Sequence, residues 1–297
     1  MKSYKILSVV AFAAFFISAC GEGSSVSNAP EKLSNADMEV NTYKELPSCV
    51  EKRDGKTGYV VDQDQGYICR NGEWVEKEVA VINKNIKYGS LKDSRDGRTY
   101  KTVVIGSQTW MAENLNYKTD NSYCYKDSTK NCDEYGRLYT WSAAMDSAGK
   151  WTSNGKGCGF VKTCSPTYPV RGVCPPNWHL PTKEEFETLF STVGGESVAG
   201  KMLKSISGWD DGRGKNGIDA YGFSVLPAGF RYDDGHYQER FYYADFWSST
   251  ESGDFGAYII DFDDESDRVR LFNYEDACCD QSSMEKNEGF SIRCVKD

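Results

Sequence analysis

Eleven cysteines against only two histidines set the first limit on how this 297-residue chain folds. Which chemistry they serve depends on the compartment, and the N-terminus names it. "MKSYKILSVVAFAAFFISAC" places Lys2 and Lys5 before an apolar run from Ile6 to Ile17, followed by small residues. That three-part layout is a secretory signal, expected over residues 1–19. The apolar run is too short for a bilayer-spanning helix. In an exported chain, cysteines in quantity predict disulfides. Zinc would want closely spaced Cys/His pairs, and neither histidine lies near a C-x-x-C.

The cleavage region, Ile17-Ser18-Ala19-Cys20-Gly21, resembles a bacterial lipobox, so Cys20 is expected to be lipidated and to become the mature N-terminus. A multiply acylated end holds a soluble domain durably on a membrane. The expected location is therefore the cell envelope of a Gram-negative bacterium, at the outer membrane or cell surface. Ten cysteines remain for other work. Processing removes two lysines and no acidic residue, which moves the formal charge from −9 to −11. An acidic surface without a basic stripe repels phosphate backbones, so nucleic acid is excluded as a partner.

Residues 20–45 are polar, small and poor in aromatics, the composition of a flexible tether. Residues 46–80 read as a small β module. Asp54-Gly55 and Asn71-Gly72 are hairpin-turn dipeptides, and "TGYVVD", "GYICR" and "EWVEK" are strand-like. A unit this small needs a staple, which Cys49–Cys69 would supply.

Residues 90–297 are one domain's worth of chain. "GRLYTWSAAMDSA" has helical spacing from Gly136, and Thr182 to Val193 is a stronger helix, opened by a Thr182/Glu185 capping box. A weaker helix is expected over Val198 to Ile206. The last third is strand-like and aromatic. Two helices early and antiparallel strands late predict an α+β fold. Trp110, Trp141 and Trp247 are expected in the core.

The segments "DGRTYKTVVIGSQTWMAENLNY", "GRLYTWSAAM", "GVCPPNWHLPTKEEFETL", "FWSSTE" and "GFSIRCVKD" resemble, in order and spacing, the Fibrobacter succinogenes major paralogous domain. Such proteins are exported or lipid-anchored, with no assigned biochemistry. More distantly, "HLPTKEEFETL" and "GFSIRC" resemble the formylglycine-generating-enzyme-like branch of the C-type-lectin-like fold. That resemblance implies an irregular α+β domain with long loops. It also implies a Cys174–Cys294 bridge, with Cys124–Cys132 and Cys158–Cys164 as local staples. Cys278 and Cys279 are left over: a vicinal bridge, other pairings and free thiols all stay open.

Catalysis finds little support. Enzymes of that branch hold copper between two cysteines four residues apart, whereas Cys278 and Cys279 are adjacent. His179 sits at a helix entry where packing is the default, and no catalytic residue is assigned. "DFDDESD" offers Asp261, Asp263 and Asp264 as calcium ligands, although a solvated hairpin tip explains them more simply. No other cofactor is implied. Aromatics make up 13% of the chain, more than a core alone needs. Candidate ligand contacts are Trp209, Asp211, Arg213 and Asn216 in one loop, and Tyr232, His236 and Tyr237 in the next. The expected function is non-catalytic binding or adhesion at the cell surface, towards a polysaccharide or an envelope protein. The alternatives are a structural envelope component and an oxidase-like enzyme.

Overall fold

Turn chemistry shapes the first part of the chain. The structure is a computed structural model, and it describes residues 37–63, 65–77, 86–209, 216–273 and 284–297. The signal segment, Cys20, Asp211, Arg213, Cys278 and Cys279 lie outside the described residues. The chain divides into two compact units, Met1–Glu78 and Val79–Asp297. In the first, Asn71 and Gly72 take positive φ values of 50° and 91°, the combination a two-residue hairpin turn requires. They join strands Gln65–Arg70 and Glu73–Lys77 in register, Arg70 opposite Glu73. Strand Thr57–Val60 pairs antiparallel on the other side, and the Cys49–Cys69 disulfide closes the unit.

A fourth strand, Met38–Val40, pairs parallel with Thr57–Val60 and lies inside the segment expected to be tether. Asp37 explains its order. Its carboxylate accepts from the Thr57 amide, the Thr57 hydroxyl and Lys56 Nζ at 2.9–3.0 Å. Those bonds, the backbone one foremost, lower its pKa to about 2.

The second unit is α+β. A five-stranded antiparallel sheet has the spatial order Trp178–His179, Val295–Lys296, Gln108–Met111, Thr99–Ile105, Gly89–Lys92. A three-stranded meander, Tyr243–Ser252, Gly256–Asp263 and Val269–Phe272, packs beside it. Two short ribbons complete the strands: Ser122–Tyr123 with Leu138–Tyr139, and Phe230–Arg231 with Tyr237–Gln238.

The segment from Gly289 onward binds these pieces to one another. Gly289 bridges Arg231, Phe290 bridges Tyr139, and Ser291 bridges Phe246. Ile292 and Cys294 accept backbone hydrogen bonds from Leu115 and Met111. Val295 pairs with both Trp110 and His179. The Cys174–Cys294 disulfide, 120 residues apart in sequence, fixes this segment covalently. Cys124–Cys132 and Cys158–Cys164 close the local loops.

Helix α3, Lys183–Thr192, has the full capping box: Glu185 N donates to Thr182 Oγ1 at 3.2 Å and Thr182 N to Glu185 Oε2 at 2.8 Å. It buries Phe186, Leu189 and Phe190 beside Trp110, Phe246 and Phe262. Helix α4 covers Glu196–Leu203, slightly earlier than the sequence spacing suggests. Two helices depart from expectation. Helix α2 is only Trp141–Ala144, because Leu138 and Tyr139 are drawn into strand pairing with Ser122–Tyr123 and Phe290. Helix α1, Thr129–Tyr135, starts inside the Cys124–Cys132 loop and runs past Cys132, and its seven residues are too few to show a readable period. No helix among the described residues is long and apolar enough to cross a membrane.

Trp110, Trp141 and Trp247 are fully buried. Trp141 Nε1 donates to Ser248 O at 2.9 Å and Trp247 Nε1 to Tyr139 O at 2.7 Å. Gly172, at φ 54°, runs so close to helix α2 that a Cβ there would lie 2.1 Å from Ala144 O. Any other residue would push the cysteine-bearing loop off the helix.

His179 is part of this architecture. Nδ1 lies 2.7 Å from Asp297 Oδ1 and Nε2 lies 2.8 Å from Glu185 Oε1. Burial opposes its charge, but the two carboxylates outweigh it and raise the pKa above the usual 6.5. Burial acts likewise against Glu185, and its bonds to His179 and to the cap lower its pKa below 4.5.

Two predictions follow from these contacts. The Cys174→Ser/Cys294→Ser double variant should lose about 2–5 kcal/mol of stability, read from urea midpoints. An unchanged midpoint would show that the non-covalent seam suffices. For His179, a raised folded-state pKa means stabilisation present below 6.5 and lost as pH rises through the folded value. The depressed Glu185 works in the other direction, contributing above 4.5 and losing that contribution in acid. His179→Gln should therefore be most destabilising at about pH 5.5 and less so at about pH 9. A pH-independent difference would show that the imidazole acts only by packing.

Candidate binding groove

A tight turn begins the groove. Asp93 is fully buried, and its backbone carbonyl accepts from Gly97 N at 2.8 Å. Its carboxylate takes Arg95 in two-point fashion, with Nη2 at 2.7 Å and Nε at 2.9 Å. Arg95 Nη1 reaches Val173 O at 2.8 Å. The guanidinium plane so fixed lies 3.9 Å over the Tyr117 ring and 5.1 Å from Trp151.

The floor comes from the "MAENLNY" segment. Asn116 Nδ2 donates to Cys132 O at 2.7 Å, and Asn116 N donates to the Tyr100 hydroxyl at 3.1 Å. Burial pushes the Tyr100 phenol up to about 12, so it stays a neutral hydroxyl. The far wall is the disulfide-closed loop bearing α1. Arg137 holds it: Nη2 donates to Ser122 O at 2.7 Å, Nε to Ser122 Oγ at 3.0 Å, and Nη1 faces both sulfurs of the Cys124–Cys132 bridge.

Between these walls lie two adjoining hollows, of about 230 and 440 Å³. Arg98, Asn116, Cys132 and Asp133 line both. At their junction Arg98 Nη2 and Asp133 Oδ1 form an exposed ion pair at 3.3 Å. Tyr88, Tyr100 and Lys101 line the smaller hollow. Arg95, Tyr117, Lys118 and Arg137 line the larger. The combined volume falls within the range of small-molecule sites, and the walls mix polar and apolar surface about equally.

The residues singled out from sequence lie elsewhere. Trp209, expected to present a stacking face, is 2% exposed. Its Nε1 donates to Ser205 Oγ and Val225 O at 3.2 Å, and Lys204 Nζ sits 4.9 Å over the ring. The ring is core, which corrects that expectation. Asn216, half-buried, accepts from Trp209 N through its Oδ1 at 3.2 Å.

Tyr232, His236 and Tyr237 do come together, on the ribbon Phe230–Arg231/Tyr237–Gln238 and its turn. Tyr237 OH donates to Asp127 Oδ1 at 2.6 Å, and burial together with that carboxylate raises its pKa to about 12. His236 is exposed, with Nδ1 2.8 Å from Asp234 Oδ2. This ribbon does not line the groove.

Asp261 stands opposite Asp245 in strand register, and both are about 1% exposed. Arg270 Nε approaches Asp261 Oδ1 at 2.7 Å, and Nη2 lies 3.6 Å from Asp263 Oδ2. Asp263 Oδ1 accepts the Glu265 and Ser266 amides. Asp264 is buried. Burial, then the Asp261 charge, pushes the Asp245 carboxyl well above the usual carboxylate range. No group of three or more potential metal ligands occurs among the described residues.

For covalent chemistry the described residues offer little. All their cysteines are bridged. Both nitrogens of His179 are occupied by carboxylates, which leaves no lone pair for general-base work.

Sequence reasoning passed over the groove because its residues sit inside family-like motifs read as architecture. The readable signal was charge: Arg95, Arg98, Lys101 and Lys118 lie within 24 residues of an otherwise acidic chain.

The sequence profile described as the Fibrobacter succinogenes major domain matches residues 103–296. No curated protein and no solved structure matches the chain significantly. With well over half of its length covered by that profile, the chain belongs to the Fibrobacter succinogenes major domain family.

Proposed function

We propose that this is an exported, lipid-anchored, non-catalytic binding protein of the cell surface, and that the two-lobed groove holds a polysaccharide segment. The groove carries the reading: two adjoining hollows with mixed polar and apolar walls, lined by Tyr88, Tyr100 and Tyr117, suit an elongated ligand rich in hydroxyls. The exposed Tyr88 ring offers a flat face to a sugar ring, while asparagine, arginine and carboxylates bond hydroxyl groups. The four bridges support an oxidising compartment. The signal-like residues 1–19 and the lipobox-like Cys20 support export and anchoring. For the fold, we infer the formylglycine-generating-enzyme-like form of the C-type-lectin-like domain. Irregular strands and a bridge from before helix α3 to the last strand favour it.

The test for binding is retention of the folded protein on insoluble plant-wall and bacterial polysaccharides, alongside a glycan array. Thr99→Trp, which places bulk on an exposed wall of the smaller hollow, should weaken retention at least about tenfold without changing the melting temperature. Equal retention of this variant, or none by the parent protein, would refute the groove as a glycan site. For anchoring, Cys20→Ala should move the protein from the membrane fraction to the soluble one. Continued membrane association would remove the lipid anchor.

A further inference from the structure

The larger hollow has an unusual charge balance for this chain. Arg95, Arg98, Lys118 and Arg137 line it, against two carboxylates, Asp96 and Asp133. The full sequence carries a net charge of −9. A positive hollow is thus set in an acidic surface. Ionic screening limits the distant negative charges to about 8–10 Å, so the near cations govern what enters.

The four cations are not equally committed. Arg95 is neutralised by buried Asp93. Arg98 has an exposed partner in Asp133, at the long distance of 3.3 Å. Arg137 is half-buried, and every contact of its guanidinium is to a neutral acceptor: Ser122 Oγ, Ser122 O and two disulfide sulfurs. It forms no ion pair among the described residues. Lys118 is exposed, and it too has no ion pair among the described residues. A guanidinium drawn out of bulk water without a counter-anion is unfavourable, and an incoming anion relieves that cost. Tyr117, held flat by the Arg95 stack, lies on the same wall.

Resting on the glycan reading above, we propose that the larger hollow is selective for an anionic saccharide, its acidic substituent bound between Arg137 and Lys118. Arg98 is the third cation: its surface pair with Asp133 opens at little cost, since exposed pairs of this kind contribute roughly 0–1 kcal/mol. The shared chemistry is a negatively charged group on a sugar ring, either a uronate carboxylate or a sulfate.

The test uses the folded, disulfide-bonded protein and four probes of matched length: a hexuronate oligosaccharide, the same oligosaccharide with its carboxyl groups reduced to alcohols, a sulfated neutral oligosaccharide, and an acidic peptide. At least one anionic saccharide should bind about tenfold or more tightly than the carboxyl-reduced one, as expected for charge-assisted hydrogen bonds. That preference should fall as salt rises. Lys118→Gln should remove most of it, whereas Arg137→Gln should weaken the charged and the reduced oligosaccharide alike, because Arg137 also holds the far wall. Asp133→Asn should increase the preference by freeing Arg98. Lys118 is exposed, so its variant decides the matter even where Arg137→Gln lowers the melting temperature. Whichever anionic arm binds identifies the substituent. Equal affinity for charged and reduced saccharides overturns the inference and leaves the glycan reading standing. Binding of no saccharide overturns both. Acidic peptide binding as tight as the best saccharide overturns saccharide selectivity.

Discussion

The backbone run from Gly289 to Val295 is the interaction on which the rest of the main unit depends. It is short, yet it bonds to both ribbons, to the meander and to two strands of the five-stranded sheet. Each of those pieces is too small to be stable alone, since two-stranded ribbons are marginal in water. They become stable by sharing this one partner. The entropic cost of bringing residues so distant in sequence together is large, and it is offset in two ways. The Cys174–Cys294 bridge restricts the unfolded chain, by about 5 kcal/mol in the chain-entropy treatment of a loop this long. The His179 clamp, between Asp297 and the α3 cap residue Glu185, then ties the same end to a helix.

Burying so irregular a fold leaves loop carbonyls that no strand ladder satisfies, and buried cations meet that need. Arg293 is fully buried and donates to Asn114 Oδ1, Phe223 O and Ser224 O. Burial lowers its pKa to about 9. Lys286, also fully buried, donates to Lys162 O and Gly253 O and pairs with Glu251 at 2.5 Å, beneath the Trp141 ring. Lys204 does the same for Asp263 O and Ser266 O. One ammonium satisfies several carbonyls at once, which a regular ladder does one by one. Such groups tolerate little change, because removing one strands several buried acceptors.

Features carried by local chemistry were legible in the sequence. The Thr182/Glu185 box, the Asn71-Gly72 hairpin and the Cys49–Cys69 staple depend on residues near one another, and their spacing announces them. The three core tryptophans were legible because they sit within regular, strand- or helix-like patterns. Trp209 was not, since a glycine-rich loop reads as solvent-facing, and only the fold shows Ser205 and Val225 O waiting for its indole. The buried arginine and lysines were invisible for the same reason. The groove was missed because its walls lie about twenty residues apart in sequence, at Arg95, Tyr117 and Arg137. The resemblance to the formylglycine-generating-enzyme-like branch supplied the long-range bridge, whose two cysteines no local spacing connects, and with it the two local staples.

What makes the groove suited to binding is how little of it is free to move. Arg95 is held by a buried carboxylate, a carbonyl and two aromatic faces. Asn116 is fixed at both its amide and its side chain. Opposite them, Lys126 and Asp127 both take left-handed backbone conformations, at φ 51° and 52°, inside the loop the Cys124–Cys132 bridge closes. Such conformations persist where the surroundings over-determine them. Ordering flexible side chains costs about 0.5–1.5 kcal/mol each on association. Walls already ordered by the fold spare a ligand most of that cost. On the proposed reading, exposed Arg98 and Lys118, together with Arg137 on the far wall, supply the charge that selects the ligand.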